Sequence, residues 1–148
     1  MPASSALIDI ADLASQFRLS VFRLARKLRR EGDADVAPTL LAALSTVERH
    51  GPMTAGSLAA HEQIRKPTCT RVIASLLERG LIERTVDPLD GRVTWVQTTP
   101  AGRKVLQRVR TRHNVYLAKR MKRLSPQELA TLEDAARIME RLTEEDAR

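Results

Sequence analysis

One segment limits most strongly what this chain can fold into. RTVDPLDGRVTWVQTT, Arg84 to Thr99, holds two runs rich in Val, Thr and Trp around the turn DPLDGR. Nearly all the rest of the 148 residues carries helical spacing. The fold class is therefore mainly α with one small antiparallel β hairpin. Pro88 and Gly91 are expected to supply the backbone angles of the turn. Whatever the chain does, it does with a hairpin that carries an arginine at its tip.

The helices can be placed by periodicity and by their ends. Leu7, Ile10, Ala14, Phe17, Val21, Leu24 and Leu28 recur at helical spacing from Ala6 to about Arg30. Arg18, Arg26, Lys27, Arg29 and Arg30 occupy the opposite face. After a loop from Glu31 to Pro38, a second helix runs to His50 and stops at Gly51 and Pro52. A third starts from Thr54 as N-cap and reaches about His61. Pro67 suits the first turn of a fourth helix, and Gly80 suits its end. On that helix Cys69, Val72, Ile73, Leu76 and Leu77 share one face, and Pro67, Arg71, Ala74 and Glu78 lie opposite. The strand runs Leu81–Val86 and Arg92–Thr99 follow. Thr99 caps a helix opened by Pro100 and ending near Arg123, and SPQE, Ser125 to Glu128, is a capping box for a last helix.

Composition removes several function classes. The net charge of +7 favours a polyanionic partner, although charge alone is weak evidence. The single cysteine, Cys69, excludes an intrachain disulfide, and no Cys/His cluster suggests a metal. Cys69 falls in the middle of an apolar face and reads as a small core residue. His50, His61 and His113 are scattered, and HExxH, Ser/His/Asp and phosphate-loop patterns are all missing. Neither an enzyme nor a cofactor is expected. The first residues lack the basic region of a signal peptide and carry Asp9 and Asp12. No apolar run is long enough to span a bilayer, so a cytoplasmic setting without a membrane partner is expected.

TAGSLAAHEQIRKPTCTRVIASLLERG reads as two short helices joined by a tight turn, the second polar on its outside. That is a helix-turn-helix, whose second helix enters the DNA major groove. Lys66, Pro67, Thr68, Thr70 and Arg71 would meet the base edges, since Arg and Thr can hydrogen-bond bases while Pro or a Thr methyl can touch thymine's methyl. Thr54, Arg65, Ser75 and Arg84 are candidates for the DNA backbone. The helix alone fits a helical hairpin with a solvated basic edge equally well. The β hairpin directly behind it tips the balance, because it then reads as a wing. Arg92 at its tip can enter a narrow minor groove. Asp90, two residues earlier, can orient the guanidinium by a charge-assisted bond. In isolation that pair would pass for an ordinary surface ion pair.

KPTCTRVIASLLERGLIER, the wing DPLDGRVTWVQTT and the following PAG resemble the MarR family of bacterial transcriptional regulators. The resemblance spans nearly the whole chain. It implies a winged helix-turn-helix homodimer on a palindromic operator, with Arg92 in the minor groove and Asp90 bracing it. It also implies that the terminal helices dimerise: residues 1–148 form one unit, with the DNA-binding lobe at 36–99 and dimerisation helices at 1–31 and 100–148. The stripes of Leu7, Ile10 and Leu13, and of Leu129, Leu132, Ile138, Met139 and Leu142, agree, since one small winged helix cannot cover them. Two-fold symmetry would set recognition helices ~34 Å apart. A small-molecule effector pocket between the dimerisation helices and the lobe is implied as well, without any residue that identifies the ligand. The expected function is a sequence-specific DNA-binding regulator acting as a repressor. The alternative is a winged-helix module that binds protein or RNA without sequence-specific DNA recognition. The basic helix from Pro100 to Arg123 and the acidic last helix are read as packing partners or solvated faces rather than as a phosphate-steering device.

Overall fold

The computed structural model describes residues 8–33 and 35–144; Leu7, one of the expected dimer residues, lies outside them. Among the described residues the order is α1 (Ile10–Arg30), α2 (Pro38–His50), α3 (Ala55–Glu62), α4 (Lys66–Glu78), β1 (Ile82–Val86), β2 (Thr94–Thr98), α5 (Pro100–Met121) and α6 (Pro126–Glu144). The chain divides into two compact units, residues 1–112 and 113–148, and α5 runs through the division.

Local chemistry sets most of the boundaries. The Asp9 carboxylate accepts from the Ala11 and Asp12 N–H groups and opens α1. Thr54 Oγ1 accepts from Ser57 N–H at 3.2 Å and opens α3. Gly80 ends the α4 segment at φ 68°, a left-handed angle that only glycine adopts without strain. The Thr99 hydroxyl accepts from Gly102 N–H at 3.1 Å and donates to the Gly80 carbonyl at 2.6 Å, so it caps α5 and ties that cap to the end of α4. The capping box forms in both directions: Ser125 Oγ accepts from Glu128 N–H, and the Glu128 carboxylate accepts from Ser125 N–H.

β1 and β2 pair antiparallel from Ile82 opposite Thr98 to Val86 opposite Thr94. Only Ile82 of β1 is buried, the rest of that strand from Glu83 to Val86 being exposed, while in β2 Val96 and Thr98 are buried and Trp95 and Gln97 beside them half-buried. A further bridge, not foreseen from sequence, pairs Met53 with Val96, their N–H groups donating to each other's carbonyls at 3.1 and 2.8 Å. A single bridged residue leaves no periodic signal. It ties β2 to the loop between α2 and α3.

The core joins Leu40, Leu44 and Val47 of α2, Leu58 of α3, Cys69, Ile73 and Leu76 of α4, Leu81, Ile82 and Val96 around the hairpin, and Val105 and Leu106 of α5. Cys69 is 1% exposed and its thiol donates to the Ala55 carbonyl. Burial, and then the nearby Glu62 carboxylate, push that thiol's pKa up, which suits an inert core residue. By contrast, α1 buries none of its residues.

Three arginines fasten the loop between α1 and α2. Arg108 of α5 pairs with Asp33, its Nε donating at 2.8 Å. Arg112 donates to the Gly32 carbonyl, and Arg79 to the Asp35 carbonyl. Part of the positive charge on α5 is thus spent inside the first unit, whereas Glu133 and Asp134 of α6 pair with Arg137 of their own helix. The Arg108 hydrogen bond, then the Asp35 N–H, hold the Asp33 carboxyl below its usual range. A depressed folded pKa contributes stability that is present above the ordinary carboxylate range and is lost as pH falls through the folded value. Asp33→Asn is therefore expected to lower the urea midpoint at pH 7, with the two unfolding curves converging in acid. Midpoints that stay parallel from pH 7 to pH 2 would assign Asp33 no such role.

Candidate nucleic-acid interface

The amphipathic division of α4 is complete. Cys69, Ile73 and Leu76 are buried, with Val72 and Leu77 packed against the same core. Lys66, Pro67, Thr68, Thr70 and Arg71 are all exposed. The helix begins after Arg65 with no side-chain cap, and since Pro67 has no N–H, only the Lys66 and Thr68 N–H groups are left without an intrahelical partner there, beside two cations. Such an end favours an anion. Thr70 Oγ1 donates to the Lys66 carbonyl at 3.0 Å. Its proton is therefore committed, and what it offers outward is an acceptor and a methyl group.

The other sequence-derived candidates divide by place. Thr54 is half-buried and committed as the cap of α3, and Ser75 is half-buried in α4. Arg65 and Arg84 are exposed. Thr70 and Arg84 come together across a cleft of about 220 Å³ between α4 and the hairpin, lined also by Ala55, Ile73, Thr94 and Val96. Asp90 and Arg92 sit exposed at the hairpin tip. Asp90 reaches Arg92 differently from the sequence expectation: its Oδ1 accepts from the Arg92 backbone N–H at 3.0 Å.

The turn also closes differently. Gly91 does not hold a left-handed angle, and a Cβ there would meet nothing within 4 Å. The geometry comes instead from Asp87, which the sequence reading passed over. Asp87 Oδ1 accepts from the N–H groups of Leu89 and Asp90 at 2.8 and 3.0 Å, and Oδ2 accepts from Trp95 Nε1 at 2.9 Å. An aspartate just before a proline is a turn-initiating signal that was available. Its tryptophan partner needed the hairpin register. These donors, Trp95 foremost, hold the Asp87 carboxyl below its usual range.

The expected dimer residues are open in the single chain. Ile10 is 80% exposed and Leu13 51%; Leu129, Leu132, Ile138, Met139 and Leu142 range from 38% to 58%. Among the described residues no group of three or more His, Cys, Asp or Glu side chains could hold a metal ion, and no described helix is long and apolar enough to cross a membrane.

A short capped helix, a second helix with a buried back and an open polar front, and a side-chain-braced hairpin behind it define a winged helix-turn-helix. The MarR family profile matches residues 36–94. An uncharacterized HTH-type transcriptional regulator of Mycobacterium bovis is 39% identical over 136 residues, covering 91% of this chain and 95% of the relative. A Pseudomonas aeruginosa chain ascribed to transcriptional regulation superposes with a TM-score of 0.80 at 32% identity, over 90% of this chain and 94% of that one. FabT of Streptococcus pneumoniae, solved in complex with DNA, shares the fold at a TM-score of 0.66 and 17% identity, over 91% of this chain and 98% of its own. This chain belongs to the MarR family of winged helix-turn-helix transcriptional regulators.

Proposed function

We propose that the protein works as a homodimeric repressor in the cytoplasm, rather than as an enzyme, and binds a palindromic operator through α4 and the wing. The observation that carries this reading is α4 itself, whose back packs on the core while Lys66, Pro67, Thr68, Thr70 and Arg71 stand open on its front. These five would read the major groove, and Arg92, with its backbone held by Asp90, would enter the minor groove. Arg65, Ser75 and Arg84 would fix the register on phosphates, while the Thr54 hydroxyl, expected to do the same, is taken up in capping α3. The DNA-bound FabT has the same fold, which supports the same partner here. The open apolar residues of α1 and α6 support a dimer that covers them. For an effector, a cleft of about 330 Å³ between α2 and the first half of α5 is lined by Glu48, Arg103, Lys104, Leu106, Gln107 and Arg110, and its charge favours an anion.

Selection of bound duplexes from a random pool tests the reading, and a palindrome should emerge. Binding with a steep salt dependence but no recovered sequence would sink it in favour of a loosely basic module. Arg92→Ala is expected to weaken operator binding by about 1–3 kcal/mol. Equal affinity of wild type and variant across salt would remove the wing from the groove.

A further inference from the structure

The wing tip has little to hold it by burial. Between Val86 and Thr94 the chain turns in solvent, and Leu89 at its apex is 96% exposed. Ordering such residues costs backbone entropy that burial does not offset here, so polar bonds must decide whether the tip is fixed. Most of those bonds are internal. Asp87 N–H donates to the Val93 carbonyl, Val93 N–H to the Asp90 carbonyl, and Arg92 N–H to Asp90 Oδ1. The first of these extends the β1–β2 ladder by one rung; the other two define the shape of the tip without tying it to the strands.

One further side-chain bond reaches beyond the tip. Trp95 lies in β2 beside Val96, which is 2% exposed and bridged to Met53. Its indole is half-buried on the outer face of the hairpin, where it shares an open groove with Pro52, Thr85 and Gln97. From that anchored place Nε1–H reaches forward to Asp87 Oδ2. The order of connection is then Trp95 to Asp87, Asp87 to the Asp90 N–H, and Asp90 to the Arg92 N–H.

We propose that the Trp95–Asp87 hydrogen bond is a latch that fixes the wing tip to the body of the hairpin and so sets where Arg92 meets DNA. Both are positioning residues; neither needs to touch the operator. The inference rests on the reading of Arg92 as a groove contact.

Trp95→Phe tests it, because the ring stays and the N–H goes. Operator affinity should fall about two- to tenfold, the range of one net hydrogen bond. In an Arg92→Ala background the same change should cost nothing further, because its effect travels through Arg92. Amide exchange of the free protein should quicken at Leu89 and Asp90 while Val96 stays protected. Asp87→Asn is the second variant: an amide cannot accept at both ends, and the sole tryptophan should report the lost bond by a shift in its emission. Equal losses in both backgrounds, unchanged affinity, or unchanged exchange at Leu89 and Asp90 overturns the latch. A different result, Arg92→Ala binding as tightly as wild type, removes the groove contact on which the latch rests and is told apart by that variant alone.

Discussion

Gly102→Ala is expected to destabilise the first unit by about 3 kcal/mol, the upper end of ordinary overpacking costs. Helix propensity favours the change by about 1 kcal/mol, so the expected sign runs against propensity. The reason is where this first turn of α5 lies. A Cβ on Gly102 would stand 2.1 Å from the Leu81 carbonyl oxygen and 2.7 Å from Thr98 Cγ2. The obstacle is backbone, and that backbone is already held, since the Leu81 carbonyl accepts from Thr99 N–H at 3.1 Å. Relief would need α5 to lift from the end of α4 and the start of β1, breaking the Thr99 bonds to Gly80 and Gly102. For a chain of this size the thermal midpoint should fall by roughly 10 °C. Gly91→Ala is the control, with open space around it and an ordinary backbone angle, and should be nearly neutral. A Gly102→Ala protein as stable as wild type would show that the α4–β1–α5 junction can yield.

Much of this architecture was legible in the sequence because it depends on neighbours along the chain. Thr54, Thr99 and the Ser125–Glu128 box announce helix ends through bonds spanning three residues, and Pro38 and Gly80 do so through their own backbone angles. The buried face of α4 follows from a period that any helix imposes. What stayed hidden depends on registers and distances that no local window contains. The Met53–Val96 bridge joins residues far apart in sequence, and Arg108 finds Asp33 across most of the first unit. Composition also misled at the turn. Glycine and the DxR spacing drew attention to Gly91 and to an Asp90–guanidinium pair, while Asp87 closes the turn and Asp90 holds backbone. The recognition face was readable because exposure follows periodicity; the bracing of the wing was not, because it depends on which strand residues face each other.

Leu13→Glu combined with Leu132→Glu is expected to convert the proposed dimer to monomers and to lower operator affinity about 10²- to 10⁴-fold. Within one chain the changes are mild. Leu13 is 51% and Leu132 43% exposed, and glutamate is a good helix former, so each lobe should keep its fold. In a two-fold interface each substitution appears twice, and each would bury a carboxylate at a cost of several kcal/mol unless it found a partner. The loss in affinity then comes without touching α4 or the wing. Two linked lobes bind the second half-site at an effective concentration set by the dimer, and separate lobes forfeit that gain. Sedimentation at micromolar concentration reads the oligomeric state. Titration of duplexes carrying one or two half-sites reads the coupling. The monomeric variant should bind both duplexes with nearly the same site affinity, matching wild type on the single half-site. A variant that stays dimeric would move the interface away from these residues. A true monomer that kept full affinity for the palindrome would mean that the two lobes never act together on one operator.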